Sequence, residues 1–288
     1  MELLMPIRIF AVVVLYRMRA EESAAFCSLA ELVGADVGVG AVVEWMVCDN
    51  SPHEQAAPEG FEGEYLRDGT NAGLARCYNE ALRRAEARGF EWLMLLDQDT
   101  TVTAEYLREV LEVAGLSLGD DRVVAMVPRL VEAGVVCSPA YPPRYGPARA
   151  IGAGECGAAK ERLHAFNSGA VVRVRALREI GGFAEEFPLD YLDHATFTQL
   201  QTRGGRLFVL RSELEHELSS NDETRRDDAA ERRRGGVLDA EYRFYARYGS
   251  VTERLLRRFR LLRAALGRVV RGKDAAQTRR MLRSAIRP

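Results

Sequence analysis

The stretch Trp92-Leu93-Met94-Leu95-Leu96-Asp97-Gln98-Asp99-Thr100 joins an unbroken apolar run to two carboxylates. A short apolar run that ends in polar turn residues predicts a strand buried on both faces, which is typical of parallel sheets. In open α/β sheets, ligands bind at the edge formed by the carboxyl ends of the strands. This stretch therefore predicts both the fold class and the place of a binding site.

The sequence on either side alternates between strand and helix signals. Apolar, β-branched runs indicate strands, and runs with apolar residues three and four positions apart indicate helices. This alternation predicts the α/β class, with a Rossmann-like, doubly wound, mostly parallel sheet flanked by helices. The predicted strands are 7–16, 42–48, 65–66, 90–96 and 123–127, and the predicted helices are 21–33, 74–88 and 103–113.

The second half of the sequence is less regular. It contains predicted strands at 165–174 and 206–210 and predicted helices at 175–180 and 192–203, and the pattern from about Leu238 is helical and basic. We predict one domain over 1–224 and a basic helical extension over 225–288. Within the domain, the donor half covers about 1–128 and the acceptor half about 129–224.

Charge divides the chain in the same place. Residues 1–224 carry 21 basic and 35 acidic side chains, whereas residues 225–288 carry 19 basic and 7 acidic ones. A cationic tail suggests an anionic partner, which could be a membrane surface, a nucleic acid or the acidic domain itself. Apolar residues at 255, 259, 262 and 266 alternate with arginines, so 254–271 is a candidate for peripheral membrane contact or for a homodimer interface.

Composition excludes several classes of protein. An apolar fraction of 47% and a charged fraction of 28% are those of a globular chain, not of a disordered or collagen-like one. The five cysteines are odd in number and form no C-x-x-C pair, so we expect neither a disulfide framework nor a zinc ribbon. No apolar run reaches the roughly 20 residues of a membrane span, and no signal peptide is recognised. We therefore expect a cytoplasmic protein, with membrane contact at the inner face of the cell membrane.

Acidic residues gather at three points where chemistry is expected. Asp49 ends the second predicted strand, Asp97 and Asp99 end a later one, and Asp190 and Asp193 precede a helix of the second half. Closely spaced carboxylates favour a cation between them, and hard oxygen ligands suit Mg²⁺ or Mn²⁺. The alternative is that these residues only cap turns and helices.

Taken together, these motifs resemble family 2 glycosyltransferases of the GT-A fold, in particular the rhamnosyltransferase-like branch. The resemblance covers roughly residues 8–218, and the Leu-Asp-Gln-Asp-Thr string is its most specific part. It implies an inverting sugar transfer from a dTDP- or UDP-linked donor, with Mg²⁺ or Mn²⁺ as cofactor. The matching pieces are 14–16, 47–51, 71–79, 95–100, 166–169, 180–183, 190–194 and 215–216.

The resemblance also implies a set of donor-binding residues. Asp49 would accept a hydrogen bond from N3–H of a uracil or thymine ring, although an Asx-turn is its alternative role. Gly73 would let the backbone approach the nucleotide, although an ordinary helix entry would also use it. Asp99 would bind the metal directly, and Asp97 would hold ribose or a metal-bound water. The nucleotide-binding set is Leu15, Tyr16, Asp49, Asn71, Gly73, Asp97 and Gln98, and the metal set is Asp97, Asp99 and His216.

For the acceptor, the resemblance implies that Asp193 is the catalytic base. It would remove the proton of an acceptor hydroxyl, which then attacks the anomeric carbon; the alternative role of Asp193 is a helix N-cap. Asp190 is the competing carboxylate, and we expect it to cap or to position. Asn167 and Ser168 are placed on the acceptor side.

Some positions depart from the family pattern. Many relatives carry a second acid and then an Arg after the base, where this sequence has Ala195 and Gln199. These departures concern the acceptor side, while the donor side is better preserved. Two rival interpretations remain, a sugar-1-phosphate nucleotidylyltransferase of similar architecture and a non-catalytic binder that uses the basic tail. The resemblance places the reaction in bacterial surface polysaccharide synthesis, with a saccharide or a lipid-linked acceptor.

Overall fold

The structure is a computed structural model that describes residues 6–35, 41–53, 55–143, 148–216, 228–272 and 275–287. Its strands are β1 (Ile7–Leu15), β2 (Ala41–Asp49), β3 (Glu64–Arg67), β4 (Trp92–Asp97), β5 (Val123–Glu132), β6 (Val135–Ser138), β7 (Ala140–Tyr141), β8 (Arg149–Ala150), β9 (Gly157–Ala158), β10 (Ala170–Arg173) and β11 (Arg206–Glu215). Its helices are α1 (Ala24–Gly34), α2 (Leu74–Ala87), α3 (Ala104–Leu116), α4 (Val174–Glu179), α5 (Leu192–Thr202), α6 (Asp228–Tyr248), α7 (Val251–Val270) and α8 (Ala275–Ile286).

One large sheet organises the first three quarters of the chain. Its strand order is β3-β2-β1-β4-β10-β5-β11-β9, with β6 paired to β5, while β7 and β8 form a separate pair. The pairs β3/β2, β2/β1, β1/β4 and β5/β11 are parallel, whereas β10 runs antiparallel to both of its neighbours. The predicted fold class, a mostly parallel α/β sheet flanked by helices, is confirmed.

The core lies on the apolar strands that the sequence indicated. Every residue of β1 from Ile9 to Leu15 is buried, as are Trp92–Leu96 of β4. Helix α3 begins as predicted, because the Thr103 side chain accepts a hydrogen bond from the backbone N–H of Tyr106. These residues form a rigid platform, so that the strand ends hold their side chains at fixed positions.

Several predicted boundaries differ from the structure; for example, the strand predicted at 123–127 continues to Glu132. Of the strand predicted at 165–174, only β10 (Ala170–Arg173) is a strand in the structure, and Val174 is the first residue of α4. The strand predicted to end at Leu210 continues to Glu215, and its register shifts between Val209 and Glu213. Helix α6 begins at Asp228, ten residues before the predicted start.

The chain divides into two compact units. Unit 1 comprises Met1–Tyr141 and Ala150–Leu218, and unit 2 comprises Pro142–Arg149 and Ser219–Pro288. The proposed boundary at 224/225 lies outside the described residues, and the predicted acceptor half differs from unit 1 because 142–149 group with unit 2. In the part of the chain that the structure describes, no helix is long and apolar enough to cross a membrane.

One disulfide corrects an expectation from the sequence. Cys48 and Cys77 are bonded, with their Cα atoms 5.9 Å apart, and both residues are buried. The spacing argument considered cysteines close in sequence, whereas these two are 29 positions apart and meet because α2 packs on the sheet. Cys27, Cys137 and Cys156 are free thiols.

Candidate active site

Strand direction brings the candidate residues to one edge of the sheet. The parallel strands β1, β2 and β4 end there at Leu15, Asp49 and Asp97. Strand β11 is parallel to β5, and its last residue precedes His216. Because β10 runs the opposite way, the segment before it, which includes Ser168, arrives at the same edge. The antiparallel strand therefore adds a loop to the carboxyl-end edge.

Asp97 is the centre of the hydrogen-bond network at this edge. The hydroxyl of Tyr78 donates to Asp97 Oδ1 at 3.1 Å, and the hydroxyl of Ser168 donates to Oδ2. Gly169 N–H donates to the carbonyl of Leu95, which fixes the loop that carries Ser168. Both oxygens of Asp97 are thus oriented by neighbouring elements, as a preorganised site requires.

The charges of three predicted carboxylates affect the pKa of the Tyr78 hydroxyl. Its pKa is raised well above the usual value by burial first, and then by the charge of Asp97 and the hydrogen bond to it. The charges of Asp193 and Asp99 raise the same pKa further. Of these three carboxylates, Asp97 is the one that contacts the Tyr78 hydroxyl, and the charges of the other two act on it without direct contact.

Asp99 and His216 could hold a cation. His216 Nδ1 is buried without a hydrogen-bond partner and lies 3.7 Å from Asp99 Oδ1, which is too long for a hydrogen bond. Among the described residues, no group of three or more His, Cys, Asp or Glu side chains could hold a metal. Mg²⁺ usually takes only one or two carboxylates and completes its shell with water and substrate phosphates. Asp99 and His216 could therefore supply at most two ligands to a metal ion.

Asp193 lies in the first turn of α5, where a carboxylate is favoured by the helix dipole. Tyr191, just before the helix, has a positive φ of 67°, a costly conformation for a residue with a side chain. Asp193 Oδ1 accepts from the backbone N–H of His194 and lies 2.7 Å from its ring Nδ1. Within the described part of the chain, all hydrogen bonds of Asp193 are made by Oδ1. Oδ2 is therefore the oxygen left for another donor.

Asp49 belongs to a separate polar cluster. Its Oδ1 accepts from Ser51 N–H at 2.8 Å and from Gln55 Nε2 at 3.4 Å, and its Oδ2 accepts from the Tyr65 hydroxyl at 3.0 Å. The bond to Ser51 is the Asx-turn that the sequence offered as the alternative. Asp49 has no exposed surface, and β1 separates it from Asp97 by about 10 Å, which is two strand spacings. The structure thus gathers Asp97 and Asp99, and it sets Asp49 apart.

Backbone groups join these two clusters. Tyr16 N–H donates to Gln98 Oε1 at 2.8 Å, so that Gln98 ties the end of β1 to the turn after β4. The carbonyl of Leu15 accepts from Asn50 N–H at 2.9 Å, and Leu15 is fully buried. Tyr16 remains exposed and is the member of this set that a ligand could reach.

The small-residue loop before α2 has a packing role in this structure. Gly73 has φ 98°, and a Cβ there would lie 2.6 Å from the carbonyl oxygen of Pro188. Leu74 N–H donates to that carbonyl, so the N-terminus of α2 is bound to the segment before α5. Asn71 also has a positive φ, of 48°. The requirement for glycine here therefore arises from contact with Pro188.

The remaining acceptor-side residues lie close to the same loops. Asn167 is buried, and its Oδ1 has no hydrogen-bond partner, while its carbonyl accepts from Ala170 N–H. Asp190 is half-buried one residue before the left-handed Tyr191. Ala195 is fully buried, so a charged side chain at this position would face the core.

Sequence reasoning assigned no role to several side chains of these clusters, among them Gln55 beside Asp49. Tyr78 and Tyr65 contact Asp97 and Asp49 from positions 19 and 16 residues away, and no local spacing marks such contacts. His194 could have been identified from the sequence, since it directly follows the predicted base Asp193. Its ring also contacts the rings of His164, edge to face, and Tyr191, at centroid distances of 4.4 and 4.7 Å. The burial of Tyr78 in an amphipathic helix was predictable, but the partner of its hydroxyl was not.

Comparison with known proteins supports the architecture. No family model matches the chain, and no curated protein sequence matches it. Among solved structures, the chain is similar to the crystal structure of S. aureus TarS, with a TM-score of 0.51 and 14% identity, over 96% of this chain and 55% of that one. It is also similar to S. aureus TarS 1–349 in complex with UDP-GlcNAc, with a TM-score of 0.48 and 14% identity over 96% and 91% of the chains. The chain thus spans about half the length of the first of these two structures, and the likeness shows a GT-A-like α/β fold.

Proposed function

We propose that the protein is an inverting glycosyltransferase that transfers a sugar from a pyrimidine nucleoside diphosphate sugar to an acceptor hydroxyl. The observation that carries this proposal lies at the carboxyl edge of the sheet, where Asp97 accepts from two hydroxyl groups and His216 Nδ1 lies 3.7 Å from Asp99 Oδ1. The GT-A-like fold is consistent with it. In our hypothesis the sugar is rhamnose, the donor is dTDP- or UDP-linked, and the acceptor is a saccharide or a lipid-linked glycan of the bacterial surface.

Asp193 is the base in this proposal. Its Oδ1 is held by His194, which leaves Oδ2 to accept the proton of the acceptor hydroxyl. As that proton leaves, the hydroxyl oxygen forms a bond to the anomeric carbon. The bond from that carbon to the diphosphate breaks on the opposite face, and both of its electrons leave with the nucleoside diphosphate. A single displacement of this kind inverts the anomeric configuration.

The diphosphate is assigned to the side of the site that holds Asp99 and His216. A Mg²⁺ or Mn²⁺ ion bound there would neutralise the charge that develops on the leaving diphosphate. Asp99 would supply an oxygen ligand and His216 its unpartnered Nδ1. Asp97 orients the Ser168 and Tyr78 hydroxyls beside them.

The base of the nucleotide is assigned to the Asp49 cluster. A carboxylate has about four acceptor positions, so Asp49 can accept N3–H of a pyrimidine in addition to its present donors. Because Asp49 is fully buried, the ring reaches it only when Gln55 or Tyr65 moves aside. The exposed Tyr16 ring lies at the same strand edge and offers a stacking surface.

Thermal unfolding with candidate donors tests this proposal. We expect dTDP-rhamnose or a UDP-sugar, at about 100 times its dissociation constant with Mn²⁺ present, to raise Tm by several degrees, because a ligand that binds only the folded state stabilises it by about 2.7 kcal/mol. The shift should disappear when EDTA replaces Mn²⁺. A purine nucleotide sugar serves as the comparison ligand.

A pair of variants makes the test specific to the site. Asp99→Asn should abolish the metal-dependent shift, whereas Asp121→Asn, at a side chain that is 74% exposed, should retain it. Absence of a shift with every dTDP and UDP compound in the presence of metal would refute the donor assignment. Binding without release of nucleoside diphosphate in the presence of acceptors would favour a non-catalytic binder.

A further inference from the structure

Helix α7 has two faces of different kinds. Arg257, Leu261 and Ala265 are buried where the helix packs with α6 and α8 in unit 2. A second row of apolar side chains, spaced three and four residues apart, is 44–67% exposed. At 3.6 residues per turn, this row spans an arc of about 80° along the whole helix. We call it the outer stripe; its members are Val251, Leu255, Phe259, Leu262, Leu266 and Val269.

The outer stripe is a concentration of apolar surface. Single exposed hydrophobic residues are normal, but a contiguous row marks an interaction site. Where burial is described, unit 1 exposes only four large hydrophobic side chains, at Tyr16, Leu116, Val135 and Leu189, and these are scattered in sequence. The six in the outer stripe all belong to one helix. Because α7 buries one face within its own unit and exposes an apolar one, we expect the exposed face to have a partner.

Arginines border the stripe on both sides. By helical spacing, Arg254 and Arg258 lie along one edge of the stripe and Arg263 lies along the other. Arg254 and Arg263 are exposed, and α7 as a whole has six arginines and one acidic residue, Glu253. Long basic side chains beside an apolar stripe can bury their stems and place their charges at a polar boundary.

We infer that the outer stripe of α7 lies in the interface of an anionic lipid bilayer, with the bordering arginines on lipid phosphates. A helix with an apolar stripe, arginine borders and low overall hydrophobicity is the type that lies in the plane of a membrane surface. At 20 residues, α7 is about 30 Å long, which gives it an extended contact with that surface. This inference is independent of the proposed sugar transfer.

Charge favours a membrane over a second copy of the chain. In a symmetric dimer the same surface patch meets itself, so the stripes would pair with each other. Such a pairing would bring Arg254, Arg258 and Arg263 of each copy to the rim of one interface, where α7 offers only Glu253 as an acidic partner. A surface of anionic phosphates complements both borders of the stripe.

Co-sedimentation of the full chain with vesicles tests the inference. We expect binding to vesicles of phosphatidylcholine that contain about 30% phosphatidylglycerol, and much weaker binding to vesicles of phosphatidylcholine alone. Binding to the anionic vesicles should also weaken at about 0.5 M salt, because salt screens the charges of the arginines. The double variant Phe259→Glu with Leu266→Glu should lower partitioning about tenfold or more, since it places charges in the stripe. Val135→Glu, at another exposed apolar residue, should bind like the wild type.

A second pair of variants tests the arginines. Arg254→Gln with Arg263→Gln should lower binding to the anionic vesicles several-fold, whereas Arg203→Gln, at an exposed arginine of unit 1, should not. Far-UV circular dichroism and Tm of each variant show that it has folded.

Three results would overturn the inference. The first is wild-type protein that binds no anionic vesicles, and the second is binding that the charged stripe variant leaves unchanged. The third is a wild-type dimer, measured by light scattering, that the stripe variant dissociates while vesicle binding is absent. That result would assign the stripe to a second copy.

Discussion

Units 1 and 2 differ in the apolar surface that they expose. In unit 1, helix α3 buries Tyr106, Leu107 and Val110, and the charged groups of the site collect where strands end. In unit 2, helix α7 buries Arg257 while it exposes Leu255 and Phe259. In our two proposals, the polar edge of unit 1 acts on a small molecule and the exposed apolar stripe of unit 2 contacts a surface.

The comparison extends to the buried charges of each unit. Glu109 in α3 accepts hydrogen bonds from the backbone and side chains of Arg211 and Ser212. Arg257 donates to Glu241, to the carbonyls of Leu238 and Ser284 and to the Ser284 hydroxyl. Unit 1 thus buries a carboxylate to hold one strand, and unit 2 buries a guanidinium to join its three helices.

The largest expected effect is on the rate of sugar transfer by unit 1. Asp193→Asn should lower the rate of sugar transfer about 100- to 10,000-fold, because an amide cannot accept the proton of the acceptor hydroxyl. Donor affinity, measured by the thermal shift, should stay within a few-fold of the wild type. Asp190→Asn, three residues earlier, is the control and should keep activity within about tenfold. Near-normal transfer by Asp193→Asn would remove the base from this edge of the sheet.

A second variant tests what the buried Arg257 contributes to the stability of unit 2. Arg257→Gln should destabilise the helical unit by about 3 kcal/mol, because it removes a buried charge from Glu241 and leaves the carbonyl oxygens without their donor. Urea unfolding followed by circular dichroism at 222 nm measures this loss. The fluorescence of Trp45 and Trp92 reports on unit 1 separately, since both tryptophans belong to it.

The exposed Arg254 provides the matched control for this prediction. Arg254→Gln should change the unfolding free energy by about 0.5 kcal/mol or less, as is usual for surface substitutions. Equal effects of the two variants would show that burial of Arg257 has no special role in unit 2.

Much of the fold could be predicted from the sequence, because the deciding signals are local. The apolar run of β4 and the Thr103 cap depend on neighbours within a few residues, and both are confirmed. Strand direction is not local, so the antiparallel course of β10 could not be read from its four residues. Helix α6 was predicted to start too late because Gly235 and Gly236 each lower helix propensity by about 1 kcal/mol.

In the candidate site, too, local features could be predicted from the sequence and contacts between distant residues could not. Asp97, Asp99 and Asp193 stand at element ends that the pattern marks, and the structure ends β4 at Asp97 and begins α5 next to Asp193. Asp49 stands at such an end too, but the Tyr65 hydroxyl that binds it comes from another strand. The donors that orient each carboxylate depend on packing between elements, which sequence periodicity does not encode.

The smallest of these effects concerns Glu109 and the register shift in β11. Between Val209 and Glu213 the strand loses its regular pairing with β5, and the N–H groups of Arg211 and Ser212 donate to Glu109 instead. Glu109→Gln keeps the shape of the side chain but turns an NH₂ group toward one of these donors. We expect a loss of about 2 kcal/mol in unfolding free energy, the usual value of hydrogen bonds to a charged group.

The pH dependence of stability separates this carboxylate from a merely polar contact. Burial by itself would raise the pKa of Glu109, but the hydrogen bonds from Ser212 and Arg211 outweigh it and hold the pKa below its usual 4.5. A lowered pKa in the folded state means that the stabilisation is fully present above about pH 4.5 and is lost as pH falls through the lower value. Between pH 7 and pH 3, Glu109→Gln should therefore lose less stability than the wild type. Glu112→Gln, 60% exposed on the same helix, should follow the wild-type curve, and parallel curves for all three proteins would show that Glu109 does not hold the strand before His216 through its charge.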